Sequence, residues 1–209
     1  QLPDNIKDPA TSTANWHDIQ EPGNWEMQGF GTAIYTNHGY EFKARNPQPP
    51  LLPETTPVGV SRRDTEIPAG WDGRDIYLHI AGAKSGLYVY LNGKEVGYSE
   101  DSKNPAEFLI NDYLQAGTNT LTLKIYRWST GSYLECQDFW RMSGIERDVY
   151  LWSQPKTAIQ DFRVLSTLDD TYTDGVFELA VDLKNHQKET KQVNVSYELQ
   201  DAQGQTLAS

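Results

Sequence analysis

Paired carboxylates, a single thiol and scattered imidazoles are the groups from which this chain could build chemistry. Glu100 stands beside Asp101, and Glu135 lies close before Asp138. A carboxyl pair can divide general acid and general base work. Both pairs fall in loop-like sequence, without the rigid concave support that a cleaving site requires. Neither is read as a self-sufficient dyad. Cys136 is the only cysteine. No histidine stands near it in sequence, so it reads as a buried small hydrophobe rather than an activated nucleophile. A lone cysteine also forbids an intrachain disulfide and leaves the redox compartment open. His17, His38, His79 and His186 show no metal-ligand spacing and read as surface or strand residues. Asn194-Val195-Ser196 fits the glycosylation sequon, but it lies in a strand-like pattern.

Charge and composition narrow the classes further. The chain has 209 residues, with 18 basic and 29 acidic side chains, a net charge of −11. A duplex-binding protein needs a basic face, and none is visible, so nucleic acid is not expected as a partner. No apolar run approaches the roughly 18–20 residues of a membrane-spanning helix. Hydrophobic residues at 37% and aromatic residues at 11% supply a core and lean towards strands. No signal peptide is visible. The chain starts at Gln1 rather than Met, so the compartment, cytoplasmic or periplasmic, stays undetermined.

The elements that must position these residues are strands. The stretch to about Ile19 is a polar, extended lead-in. Asn46–Pro57 carries five prolines and cannot sit in a central strand. From Val58 onward short apolar runs alternate with turn residues. Asp75–Ile80 and Leu87–Leu91 are strand-like, and Asn92-Gly93 before Lys94–Tyr98 is a strong hairpin signal. Within Asn119–Tyr126, Leu121, Leu123 and Ile125 share one face. Asn111–Leu114 reads as a short helical turn, and Ile145–Trp152 as a strand. No amphipathic helix of three turns is present, so an all-β sandwich or jelly roll is expected. After Pro155 further strands are expected at Ile159–Thr167, Val176–Leu183 and Gln192–Leu199. Three strands suit the start of an immunoglobulin-like sandwich, which needs about seven. The expected division is 1–156 for the first domain and 157–209 for a second, truncated one.

Three segments resemble the large bacterial β-galactosidases of glycoside hydrolase family 2. They are Asn24–Asn37 (NWEMQGFGTAIYTN), Tyr90–Ile110 (YLNGKEVGYSEDSKNPAEFLI) and Arg127–Trp152 (RWSTGSYLECQDFWRMSGIERDVYLW). The likeness runs from about Trp16 to Lys156 and continues more weakly to the end. It implies a jelly-roll (galactose-binding-like) sandwich, then an immunoglobulin-like sandwich, then a catalytic TIM barrel. The two catalytic glutamates and the magnesium site near them are expected beyond Ser209. A retaining glycosidase needs its carboxyl groups about 5–5.5 Å apart across the bond, and the resemblance gives this chain no such pair. It should therefore not hydrolyse sugar alone. The full enzyme is expected to act on β-galactosides and to be a homo-oligomer. Relatives acting on β-glucuronides or β-mannosides share the sandwich, but Gln137–Ile145 looks more like the galactosidases.

Within the resemblance, Asp138 of Gln137-Asp138-Phe139-Trp140 matches an aspartate that reaches the galactose pocket and helps to hold sodium. A carboxylate suits both tasks. The alternative is a solvated loop acid, or one paired with Arg141 or Arg127. Lys84 of Ala83-Lys84-Ser85 stands where relatives often carry an asparagine that touches galactose. It is expected to contact sugar, pair with Asp138 or point into solvent. Of the tryptophans, Trp140 and Trp152 are expected in the core, Trp25 and Trp128 at structural positions, and Trp16 and Trp71 partly exposed. Two rival functions remain at this stage. One is a stand-alone carbohydrate-binding module, the other a structural or oligomerisation domain.

Overall fold

The computed structural model describes residues 5–42 and 46–209. The chain divides into two compact units, Gln1–Gln154 and Pro155–Ser209. Apart from short 3-10 turns, one of them at Asn111–Tyr113, its regular structure is β.

The first unit contains twelve strands: β1 (Gly23–Asn24), β2 (Ile34–Thr36), β3 (Val58–Glu66), β4 (Asp75–Ile80), β5 (Ala83–Lys84), β6 (Gly86–Leu91), β7 (Lys94–Ser99), β8 (Ala106–Leu109), β9 (Thr118–Tyr126), β10 (Phe139–Arg141), β11 (Gly144–Ile145) and β12 (Val149–Gln154). Two sheets form its body, in orders β3-β9-β6-β7 and β12-β4-β8, all antiparallel. Alternation decides which side chains enter the core. Ile76, Leu78 and Ile80 of β4 are buried with Leu87, Val89 and Leu91 of β6 and with Leu123 and Ile125 of β9. The Asn92-Gly93 turn joins β6 to β7 with φ of 52° and 79°. Positive φ at both positions is what a type I′ turn demands.

Two smaller pieces hold the loops. One is the sheet β1-β11-β5, in which Gly144 pairs with both Asn24 and Lys84. The other is the β2–β10 ribbon, which pairs Tyr35 with Trp140 and Thr36 with Phe139. Trp25 joins the core beside β1. Its indole occupies the space that a side chain at Gly59 would need. The proline-rich segment 46–57 contains no strand.

The second unit holds β13 (Thr157–Leu168) and β14 (Gly175–Asn185), a long hairpin, and the short pair β15 (Leu199–Gln200) and β16 (Thr206–Ala208). Phe162 pairs with Val181 and Val164 with Leu179, so these four share one face of the hairpin. The strand expected at Gln192–Leu199 is not formed: residues 192–198 are outside any strand. Alternating Val193, Val195 and Tyr197 would share one face, but a strand also needs a hydrogen-bonded neighbour. Tyr197 instead lays its ring 6.4 Å from that of Phe177.

Two core assignments are corrected. Trp140 is 53% exposed, because β10 turns Arg141 inward and leaves Trp140 facing out beside Tyr35. Trp152 lies half-buried on the outer side of its sheet, stacked 4.7 Å from Tyr77. Its neighbour Leu151 pairs with the buried Leu78 on the inner side.

Candidate functional site

The β2–β10 ribbon builds the site. Asp138 is exposed, immediately before β10. The Tyr35 hydroxyl donates to Asp138 Oδ1 at 2.7 Å. That hydrogen bond, then the carboxylate's charge, raises the Tyr35 phenol above its ordinary pKa. Tyr35 is 55% exposed, and its ring lies 5.7 Å from that of Trp140. Asn37 follows β2 directly and is exposed. The His38 ring nitrogen Nδ1 stands 2.7 Å from Asn37 Oδ1. One loop end thus presents a carboxylate, an amide, a phenol and an indole, all exposed.

Among the described residues Asp138 is paired with neither Arg127 nor Arg141. Both candidate arginines are committed to the layer beneath it. Arg127 meets Glu26 at 3.2 Å and Glu41 at 3.3 Å, and donates to the carbonyls of Thr32 and Arg141. Arg141, 2% exposed, donates to Cys136 Sγ at 3.1 Å. Cys136, half-buried, also hydrogen-bonds the Gly39 carbonyl. It is a polar tie rather than a buried hydrophobe.

Lys84 is 4% exposed. It neither points into solvent nor hydrogen-bonds Asp138. Its ammonium lies over the Phe139 ring, 5.2 Å from the centroid. Burial holds it below the usual lysine pKa; Glu41 opposes this shift and Arg141 adds to it. With Glu135, Cys136 and Arg141 it lines a void of about 10 Å³.

The other candidate carboxylates, Glu135, Glu100 and Asp101, are each tied up in hydrogen bonds. Glu135 accepts from the Ser102 amide at 2.9 Å and hydroxyl at 2.6 Å. Glu100 bonds Tyr98, Thr130 and the Gly131 amide; partial burial raises its pKa, but these bonds outweigh that and lower it overall. Asp101 is held by Asn104. Among the described residues no group of three or more His, Cys, Asp or Glu is placed to hold a metal ion. No helix among them is long and apolar enough to cross a membrane. A cavity of about 820 Å³ is lined by other residues, including Trp16, Glu21 and Tyr150.

Tyr35 and Asn37 were missed as site residues in the sequence. They stand within the Asn24–Asn37 segment, but 103 positions separate Tyr35 from Asp138. Only strand pairing joins them.

Residues 6–155 match the model for the family 2 glycosyl hydrolase sugar binding domain. The chain is 42% identical over 202 residues to a β-galactosidase of Priestia megaterium, covering 95% of this chain and 20% of that protein. It is 42% identical over 192 residues to one from Psychromonas ingrahamii, covering 92% and 18%. It therefore spans about a fifth of the length of these curated relatives. A β-glycosidase of Bacteroides vulgatus shares the fold, with a TM-score of 0.69 at 19% identity over 99% of this chain and 25% of that one. With its sandwich of antiparallel sheets and this match over most of its length, the chain belongs to family 2 of the glycosyl hydrolases, whose sugar binding domain it contains.

Proposed function

We propose that this chain is the N-terminal part of a β-galactosidase and lends one wall to a galactose pocket completed by a catalytic barrel. The observation that carries this is its 42% identity, across nearly all of its length, to a protein of that name five times longer. The site geometry supports it. Asp138 is exposed and presents lone pairs to sugar hydroxyls, and the exposed Asn37 after β2 can donate and accept. Tyr35 holds the carboxylate from one side and leaves Oδ2 outside that bond.

Asp138 also fits as one hard oxygen ligand of a sodium ion. Such a cation takes several oxygens, so the rest of its shell would come from other parts of the enzyme. Bound there, the ion would hold a sugar hydroxyl by its charge. Magnesium, like the two glutamates, belongs to the barrel in this reading. The second unit is the opening of the immunoglobulin-like sandwich that lies between. Homo-oligomeric assembly is part of the same proposal.

The test is turnover of a chromogenic β-galactoside. The isolated chain should show none, and the full-length enzyme should be active. Asp138→Ala in the full-length enzyme should lower kcat/KM by ~10- to 100-fold, the scale of lost hydrogen bonds to a charged group. Turnover by the isolated chain, or full activity in the variant, would refute the proposal. The exposed Tyr35 and Trp140 rings favour one rival, a stand-alone sugar-binding module. Calorimetry of the chain with galactose decides between them. A flat titration at millimolar sugar removes the rival, and measurable binding supports it.

A further inference from the structure

We infer that Lys84 is a positioning residue for Asp138 and acts through the ring of Phe139. This rests on the reading of Asp138 as a sugar-binding carboxylate. Phe139 follows Asp138 directly, and three cations surround its ring. Arg141 Cζ lies 4.9 Å from the centroid, Lys84 Nζ 5.2 Å and Lys103 Nζ 5.5 Å. Lys84 and Arg141 are both deeply buried, whereas Lys103 is exposed and paired with Glu146. A desolvated cation is drawn more strongly to an aromatic face than a hydrated one.

Between Lys84 and Phe139 the contact is that of the ammonium with the ring face. Against burial and the repulsion of Arg141 and Lys103, the charges of Glu41 and Glu146 favour its protonated form. Its backbone is fixed elsewhere, in β5, where Lys84 pairs with Gly144. Phe139 belongs to β10 and pairs with Thr36. The cation and the ring therefore tie two small sheets together at the residue beside the carboxylate. The β2–β10 ribbon is only three pairs long and would hold that segment loosely alone. A lysine buried merely as filler would burden the fold with the desolvation of its ammonium, where methionine would serve. Lys84 thus works beneath the sugar site rather than in it.

The test is a double-mutant cycle in the full-length enzyme, read as kcat/KM on a chromogenic β-galactoside. Lys84→Met should lower kcat/KM by about 3- to 30-fold, the range of a buried cation–π contact. Lys84→Arg should recover most of the loss. In an Asp138→Ala background Lys84→Met should cost nothing further, because its effect runs through that carboxylate. Phe139→Leu keeps an apolar filler without the π face and should reproduce the same loss and coupling. It carries the test if Lys84→Met does not fold. Equal losses with and without Asp138, or no loss at all, would overturn the clamp while leaving the Asp138 reading intact. If Asp138→Ala alone leaves kcat/KM unchanged, both fall together.

Discussion

The Asp138–Tyr35 contact is polar on an open surface, so its signature is a titration rather than a stability. The hydrogen bond to Asp138 holds the proton on the phenol and the carboxylate's charge disfavours a phenolate beside it, so the Tyr35 pKa is raised above its ordinary 10.0. A raised folded-state value favours the fold below the unfolded phenol's pKa. That contribution disappears as pH climbs through the folded value. Asp138→Asn should bring the Tyr35 titration back down, read by NMR of the labelled ring; an unmoved curve would count against the contact. Arg127 lies at the opposite extreme, deeply buried with its two glutamate partners. Replacing it with Met would strand the carboxylates of Glu26 and Glu41 away from water. A loss of ~3–5 kcal/mol in chemical denaturation is expected. A loss under ~1 kcal/mol would show that those carboxylates find other partners or protonate without penalty.

At the scale of elements, the site depends on very short strands, and one glycine sets their spacing. Gly144 has φ of +115°, and a Cβ there would lie 2.9 Å from both the Gly23 carbonyl and the Trp25 ring. Two penalties combine, a backbone region disfavoured for L residues and an overpacked contact. Gly144→Ala should destabilise the first unit by ~2–4 kcal/mol in urea melts. A stability equal to wild type would mean that β1 and Trp25 can shift without cost. Local sequence told much at this scale. The Asn92-Gly93 hairpin was legible because turn geometry is fixed by the two residues that make it. The Leu121, Leu123, Ile125 face was legible because pleating has period two. Trp140 misled because a large apolar residue argues for a core only if its strand faces one. β10 has just two sides, and the inward one is taken by Arg141.

For the whole molecule, the two units differ in what they bury. The first closes a core between two sheets. The second leaves Phe162, Val164 and Leu183 exposed on a hairpin. Two-stranded assemblies are marginal in water without a further apolar layer. Residues 155–209 expressed alone should therefore give no cooperative thermal transition by circular dichroism. A sharp transition would show that the hairpin and its tail make a sufficient core by themselves.

The residue order by itself determined the all-β class, the main strands of the sandwich and the kinship that points to sugar. Those properties follow from periodicity, turn chemistry and long runs of matched residues, which are all local in the chain. Only the tertiary structure decided that Tyr35 joins Asp138, that Lys84 is buried against Phe139, and that Arg127 and Arg141 serve the layer below. Each of these depends on strand register between segments far apart in sequence. It depends also on which polar groups the fold can desolvate together, and side-chain type alone carries neither piece of information.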